Sequence, residues 1–91
     1  MSTTLLAETW VSLEEPGQLI PFAREGEYMY FVRVKGMRID YSEMKVYVKL
    51  EVLKLNLSTN QVESSGEIEV EPGSSITFEN YVVQVVDVYM G

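Results

Sequence analysis

The feature that most constrains the fold of this chain is a Pro-Gly phrase that occurs twice. Residues 15–22 read EPGQLIPF and residues 71–78 read EPGSSITF. Alternating apolar residues precede each copy, and a run rich in Val that begins with Tyr follows each. Pro-Gly is turn chemistry, and alternation of this kind is typical of strands. The sequence therefore predicts two related β units, about residues 11–34 and 68–88, within a single β domain spanning residues 1–91.

The length and composition favour one small folded domain. A chain of 91 residues has room for a single core, and a hydrophobic fraction of 46% indicates a globule rather than a disordered chain. Short strand-like segments alternate with turn signals, and no segment is a convincing helix. We therefore predict an all-β fold, a small β-sandwich or barrel of seven to eight antiparallel strands with an imperfect internal repeat.

Three of the predicted strands lie in the first half of the chain. Residues 5–13 alternate with a period of two, and residues 18–22 contain Pro21, which favours a position at a sheet edge. Residues 28–35 follow a predicted turn at 23–27. This third strand has one face that is expected to enter the core, formed by Tyr28, Tyr30, Val32 and Val34.

The remaining segments are less regular. We expect a loop or bent connection over residues 36–44 and one broken strand or two short strands over 61–70. The run Tyr81–Tyr89 is almost continuous in Val, which is typical of a strand covered on both faces. It is therefore predicted to be the central strand.

Residues 45–57 allow two interpretations. Four apolar residues alternate cleanly up to Val52, and Leu53, Leu55 and Leu57 then continue in the opposite phase, as a β-bulge or a bend between sheets would produce. Some of the same residues also fall at helical spacing behind Ser42, a possible helix cap. The β-branched content and the alternation favour a strand.

Two residue types that are common in catalytic and metal-binding sites are absent from the sequence. The chain has no Cys and no His, so it lacks thiolate metal ligands, the commonest general base and the commonest transition-metal ligand. No phosphate-binding loop, nucleophile elbow or dinucleotide motif is present. The sequence therefore predicts a protein that is not an enzyme, with no catalytic residue, cofactor or metal site.

One acidic row is the nearest approach to a cation site. Glu67, Glu69 and Glu71 have strand spacing, so their carboxylates are expected to point to one side. The row lacks the loop with which calcium sites surround the ion. We therefore interpret it as a solvated strand face.

The charges are unevenly distributed along the chain. All seven basic residues lie between positions 24 and 54, whereas the whole chain carries −7. If residues 28–35 and 45–52 pair as a hairpin, a basic and aromatic face results. Such faces bind single-stranded nucleic acid by stacking and phosphate contacts. The candidate binding face consists of Phe31, Arg33, Lys35, Lys45, Tyr47 and Lys49.

The predicted function is a structural or interaction module that self-associates or docks on a protein partner. The chain has six Tyr, five Met and one Trp, and these residue types are enriched at protein interfaces. The second candidate function is binding of nucleic acid or an acidic partner by the basic face, although a net charge of −7 disfavours a polyanion. A homo-oligomer is the expected assembly, and no membrane partner is expected.

One stretch resembles a known class of proteins. Residues 66–88, with their EIEVEPG segment and the Val-rich run after Tyr81, resemble the β-sandwich repeats of archaeal surface-layer and related cell-surface proteins. Those proteins are secreted and assemble into lattices, so the resemblance implies a role in assembly. The N-terminal residues lack the basic and apolar regions of a signal peptide, and the expected location is therefore the cytoplasm.

Overall fold

The computed structural model describes residues 8–10 and 17–88, and these residues form an all-β fold without a helix. Its six strands are β1 (Ile20–Glu25), β2 (Tyr28–Asp40), β3 (Lys45–Asn56), β4 (Gln61–Val70), β5 (Ser75–Phe78) and β6 (Tyr81–Gln84). The first four form an antiparallel sheet in sequence order, and β5 and β6 form a separate antiparallel hairpin. The prediction of an antiparallel all-β fold is confirmed. The four-stranded sheet is open, with β1 and β4 at its edges.

The described residues form six strands, whereas seven to eight were expected. One of the expected strands, over residues 5–13, is not described as a strand. Of residues 5–13, only 8–10 are described, and these have no regular secondary structure. The rest of that predicted strand lies outside the described residues, as does Pro16 of the first Pro-Gly turn. The sandwich arrangement and the internal repeat therefore stay predictions.

The second Pro-Gly turn forms as its sequence predicts. Gly73 has a φ of 92°, and the Ser74 N–H donates to the Glu71 carbonyl oxygen over 2.9 Å. Proline in the second position and a positive φ at the third are the requirements of a type II turn. The turn sends the chain from β4 into β5 and away from the four-stranded sheet.

The four-stranded sheet has an inner face covered by the β5–β6 hairpin and an opposite, outer face. The buried residues of the core lie on or beside the inner face and are Tyr30, Val48, Leu50, Val52 and Val70. Half-buried residues of the hairpin, including Ile76 and Val83, pack against this core. The ring of Phe78 lies over Gly66, where an added Cβ would be 3.7 Å away, an ordinary contact distance. The hairpin therefore covers the inner face across β3 and β4.

Strand β2 is longer than predicted. The expected loop over residues 36–44 is wrong, since β2 continues to Asp40 and the turn occupies residues 41–44. A bulge between Val34 and Gly36 inserts one residue and returns Met37 and Ile39 to the face of Val34. The predicted turn at 23–27 is also too long, because only Gly26 and Glu27 form it.

The ambiguous segment 45–57 is a strand. Strand β3 pairs with β2 without a slip at the change of phase, where Val52 faces Val32 and Leu53 faces Phe31. The predicted bulge or bend at this point is therefore wrong. The apolar pattern changes phase because β3 carries apolar residues on its inner face up to Val52 and on its outer face from Leu53 onward.

Two further strand predictions need correction. The predicted central strand Tyr81–Tyr89 is wrong, because β6 ends at Gln84 and belongs to the small hairpin. Its alternate residue Val82 is exposed, so it is not covered on both faces. The central strands are β2 and β3, each paired on both sides. Residues 61–70 form one continuous strand, with a bulge at Glu63 in place of the expected break.

Candidate functional site

The structure places the predicted binding residues on the outer face, but not in one cluster. The β2–β3 register puts Arg33 opposite Glu51 and Arg38 opposite Tyr47. The cations Arg33 and Arg38 of β2 therefore share the outer face with Lys45 and Lys49 of β3. Phe31 lies toward the other end, opposite Leu53. The prediction that β2 and β3 pair is confirmed. The aromatic residue nearest the cations is Tyr47, whose ring centroid lies 4.3 Å from the Arg38 guanidinium carbon.

Five cations of this face, on β2 and β3, are each paired with a glutamate. The nitrogen-to-oxygen distances are 2.6 Å for Arg33–Glu51, 3.0 Å for Lys35–Glu67, 3.0 Å for Arg38–Glu69, 3.3 Å for Lys45–Glu71, 3.9 Å for Lys45–Glu43 and 3.3 Å for Lys49–Glu67. We call these residues the ion-pair ladder. It spans β2, β3 and β4 across the outer face.

The ion-pair ladder is electrically balanced. It contains five cations and five carboxylates, so the two cations and nine carboxylates outside it carry the whole net charge of −7. Hydrogen bonds from Lys35 and Lys49 lower the pKa of Glu67, and the hydrogen bond to Glu71 raises the pKa of Lys45. Both shifts keep these groups charged near neutral pH. Exposed pairs of this kind contribute little to stability, because water and salt screen them.

The acidic row of β4 and the residue after it forms ion pairs in addition to facing solvent. The prediction that Glu67, Glu69 and Glu71 point to one side is confirmed by the β3–β4 register for the first two and by the ion pair with Lys45 for Glu71. These side chains remain substantially exposed to solvent, and their carboxylates also contact the cations of β2 and β3. Among the described residues, no group of three or more acidic side chains is arranged to hold a metal ion.

Freeing the ladder cations is expected to create affinity for nucleic acid. The double variant Glu67→Gln/Glu69→Gln removes the partners of Lys49 and Arg38. We expect it to bind a fluorescent oligothymidine at low salt, with a slope of log K against log salt of about −0.7 for each phosphate that the freed cations neutralise. Fluorescence anisotropy measures this. A Glu8→Gln/Glu27→Gln control matches the change in charge away from the ladder. Equal binding by both variants would contradict the ladder as the cause.

Beside the ladder, the outer face carries an apolar patch that sequence reasoning missed. Its members are Met29, Phe31, Leu53, Leu55 and Val62. The register places Met29 opposite Leu55, which faces Val62 on its other side. The change of apolar phase after Val52 was the available signal. No element among the described residues lies over this patch, and Val62 is exposed.

The turn between β2 and β3 also presents apolar side chains. Tyr41 is 76% exposed and Met44 is 82% exposed. The Asp40 carboxylate fixes the turn by accepting hydrogen bonds from the Ser42 hydroxyl (2.6 Å) and the backbone N–H groups of Ser42 (3.0 Å) and Glu43 (3.2 Å). These bonds, that of the Ser42 side chain first, lower the pKa of Asp40. Two of the Tyr and Met residues predicted for contacts are therefore accessible.

Two hollows in the described surface are too small for an ordinary ligand site. One of about 230 Å³ lies between Met44 and Pro72, and one of about 250 Å³ lies beside the β2 bulge at Gly36. Pockets for small molecules usually measure about 300–1,000 Å³ and enclose most of the ligand. The broad outer face is therefore a better candidate for a binding surface than either hollow.

Aromatic rings join the β5–β6 hairpin to the sheet. The ring centroids of Tyr30 and Tyr81 are 4.8 Å apart, and those of Tyr30 and Phe78 are 6.2 Å apart. Glu79, in the hairpin turn, accepts hydrogen bonds from the Tyr30 hydroxyl (3.3 Å) and from Lys54 Nζ (3.2 Å). Its φ of 53° is uncommon for a residue other than glycine, and these contacts hold it there. We call this cluster of Tyr30, Lys54, Phe78, Glu79 and Tyr81 the hairpin joint.

The hairpin joint is expected to lose stability at alkaline pH. The hydrogen bond that the Tyr81 hydroxyl donates to Glu25 raises the pKa of Tyr81 from 10.0 to about 12. Because the folded state holds this proton more tightly than the unfolded state, the stabilisation is complete below pH 10 and is lost as the pH rises toward 12. Burial also raises the pKa of Tyr30, so phenolate absorbance should show late-titrating tyrosines, and Tyr81→Phe should remove the component near pH 12. An unchanged titration curve in that variant would contradict the assignment.

No protein-family model, curated protein or solved structure matches this chain. The resemblance of residues 66–88 to surface-layer repeats is therefore untested and stays a prediction. Within the described part of the chain, no helix has the length and apolar character needed to cross a membrane.

Proposed function

We propose that this chain is a non-enzymatic structural module that self-associates, with the outer face of the four-stranded sheet as its contact surface. The observation that carries this proposal is the apolar patch, in which half-buried cross-strand pairs such as Phe31–Leu53 and the exposed Val62 lie on a face that no described element covers. Two sheets can bury such faces by stacking about 10 Å apart with interdigitated side chains. A sandwich formed between two copies would bury the patch.

The charge distribution favours a second copy as the partner. Two molecules that each carry −7 repel one another in most orientations. The outer face is the exception, because the ion-pair ladder beside the patch is balanced and the net charge lies elsewhere. An apolar centre flanked by satisfied polar groups is also the usual anatomy of a protein interface.

The second candidate function, binding of nucleic acid, has less support. It requires cations that are available to phosphates, whereas Arg33, Lys35 and Lys49 each have a glutamate partner. A polyanion would have to replace those carboxylates and approach an acidic protein. Docking on a different protein would use the same apolar patch as self-association.

The absolute mass in solution tests the proposal. Light scattering after size-exclusion chromatography, over a wide range of protein concentration, should show a mass that rises from monomer to dimer or larger. High salt should preserve the association, because it screens charges but does not weaken apolar contacts. A monomer at every concentration would overturn self-association, and dissociation by salt would overturn the patch as its basis.

A further inference from the structure

The described residues contain four edge strands, and three of them are protected against pairing with another chain. An open edge presents unpaired N–H and C=O groups that another strand can bind. Strand β1 contains Pro21 and a bulge before Ala23, both of which interrupt pairing. Strand β5 is covered because it lies against β4, with Phe78 beside Gly66.

Strand β4 is protected by charge. Its outer-face residues include Glu67 and Glu69, and Glu63 forms a bulge. An antiparallel pair of two β4 strands would place glutamates opposite glutamates, which is destabilising. This edge therefore disfavours a second copy of itself.

Strand β6 has no such protection. Residues 81–86 contain no charged residue and no proline, and Val82 and Val86 are 60% and 62% exposed. The Val85 N–H donates to the Ser74 carbonyl oxygen over 3.0 Å, and the Val85 carbonyl oxygen accepts from the Gly73 N–H over 2.5 Å. The backbone N–H and C=O of Val85 therefore point toward the β5 side of the hairpin. Because these directions alternate along an antiparallel ladder, the N–H and C=O groups of Gln84 and Val86 point to the opposite edge of β6, with which no described strand pairs.

We propose that β6 and the residues that follow it, 81–87 in all, pair antiparallel with the same residues of a second copy of this chain, about a twofold axis at Gln84. This register places Val82 of each copy opposite Val86 of the other and Val83 opposite Val85. Asp87, the nearest acidic residue, falls opposite Tyr81, so no like charges meet. The two hairpins become one four-stranded sheet, and the two exposed valines of each copy are buried in cross-strand pairs.

This contact goes beyond the outer-face contact and does not depend on it. The surfaces lie on different sheets, so one molecule can use both. Two twofold interfaces on one chain produce either a closed tetramer or an open chain of molecules. The edge contact thus extends a simple pair into a larger assembly.

Charge substitutions at the edge test the register. The variant Val82→Glu/Val86→Glu places carboxylates opposite carboxylates twice, whereas Val82→Lys/Val86→Glu places opposite charges together in the same pairs. Val82 and Val86 are both exposed, so the fold should tolerate either pair of substitutions. Each pair is introduced into Leu53→Glu protein, in which the outer-face contact is removed, and the mass is measured by light scattering.

We expect Leu53→Glu protein and its Lys/Glu derivative to be dimers and its Glu/Glu derivative to be a monomer. Equal masses for the two derivatives would overturn the proposal. A second result would also overturn the proposal: Leu53→Glu protein is a monomer, and its unfolding midpoint falls with the Glu/Glu substitutions but not with the Lys/Glu substitutions. That result would show that another strand of the same molecule already pairs with the edge of β6. A different result would contradict the outer-face proposal. In that case, Val82→Glu/Val86→Glu protein would have the same mass with and without Leu53→Glu.

Discussion

Replacing Tyr30 by alanine is expected to lower the free energy of unfolding by about 3–5 kcal/mol, the usual cost of removing a buried aromatic ring. Tyr30 is only 1% exposed, and its ring contacts those of Phe22, Phe78 and Tyr81. It is the central ring of the hairpin joint, so its loss leaves a cavity between the two sheets. A small domain has a total stability of about 5–15 kcal/mol, so this loss is a large share of it.

Urea denaturation followed by circular dichroism measures the effect. Tyr41→Ala is the matched control, because the same residue type is 76% exposed there and its loss should cost less than about 0.5 kcal/mol. Tyr30→Phe removes only the hydroxyl that donates to Glu79 and should cost about 0.5–1.5 kcal/mol. Similar midpoints for Tyr30→Ala and Tyr41→Ala would contradict the role of the hairpin joint.

Replacing Leu53 by glutamate is expected to abolish the outer-face contact. Leu53 belongs to the apolar patch and lies between Phe31 on β2 and Ser65 on β4. A carboxylate there loses its hydration in the contact without acquiring a partner. Each copy in a twofold pair carries the change. If each loses about 1.4 kcal/mol, the dissociation constant rises roughly a hundredfold.

Analytical ultracentrifugation of Leu53→Glu in the Val82→Glu/Val86→Glu background isolates this contact. Leu19→Glu in the same background is the matched control, because it adds the same charge at an exposed leucine outside the patch. We expect a folded monomer for the first protein and a dimer for the second. Circular dichroism must show that Leu53→Glu is folded. A folded protein that still dimerises as strongly as the control would contradict the outer-face contact.

The sequence predicted the local features of the fold whose causes are local. The Pro-Gly turn at Pro72 and Gly73 depends on the φ preferences of two residues, and the edge position of β1 follows from the missing N–H of Pro21. The choice of strand over helix for β3 rested on β-branched content and alternation. Each of these follows from a few neighbouring residues.

The incorrect predictions concern features that depend on distant partners. The Val-rich run after Tyr81 is apolar enough for a central strand, but whether it is one depends on the strands that pair with it. The bulge between Val34 and Gly36 allows β2 to continue where the sequence suggests a loop. For the same reason, the basic face was predicted without the β4 glutamates that neutralise it, since only the β3–β4 register brings them together.

The most direct test of the central claim is nuclear magnetic resonance on a mixture of two labelled forms of the chain. One form carries ¹³C-labelled methyl groups in Met and Leu, and the other carries ¹²C. Isotope-filtered spectra then show only contacts between molecules. We expect such contacts at the methyl groups of Met29, Leu53 and Leu55. Intermolecular contacts that leave these three out, or no intermolecular contacts at concentrations where the mass exceeds that of a monomer, would contradict self-association through the outer face.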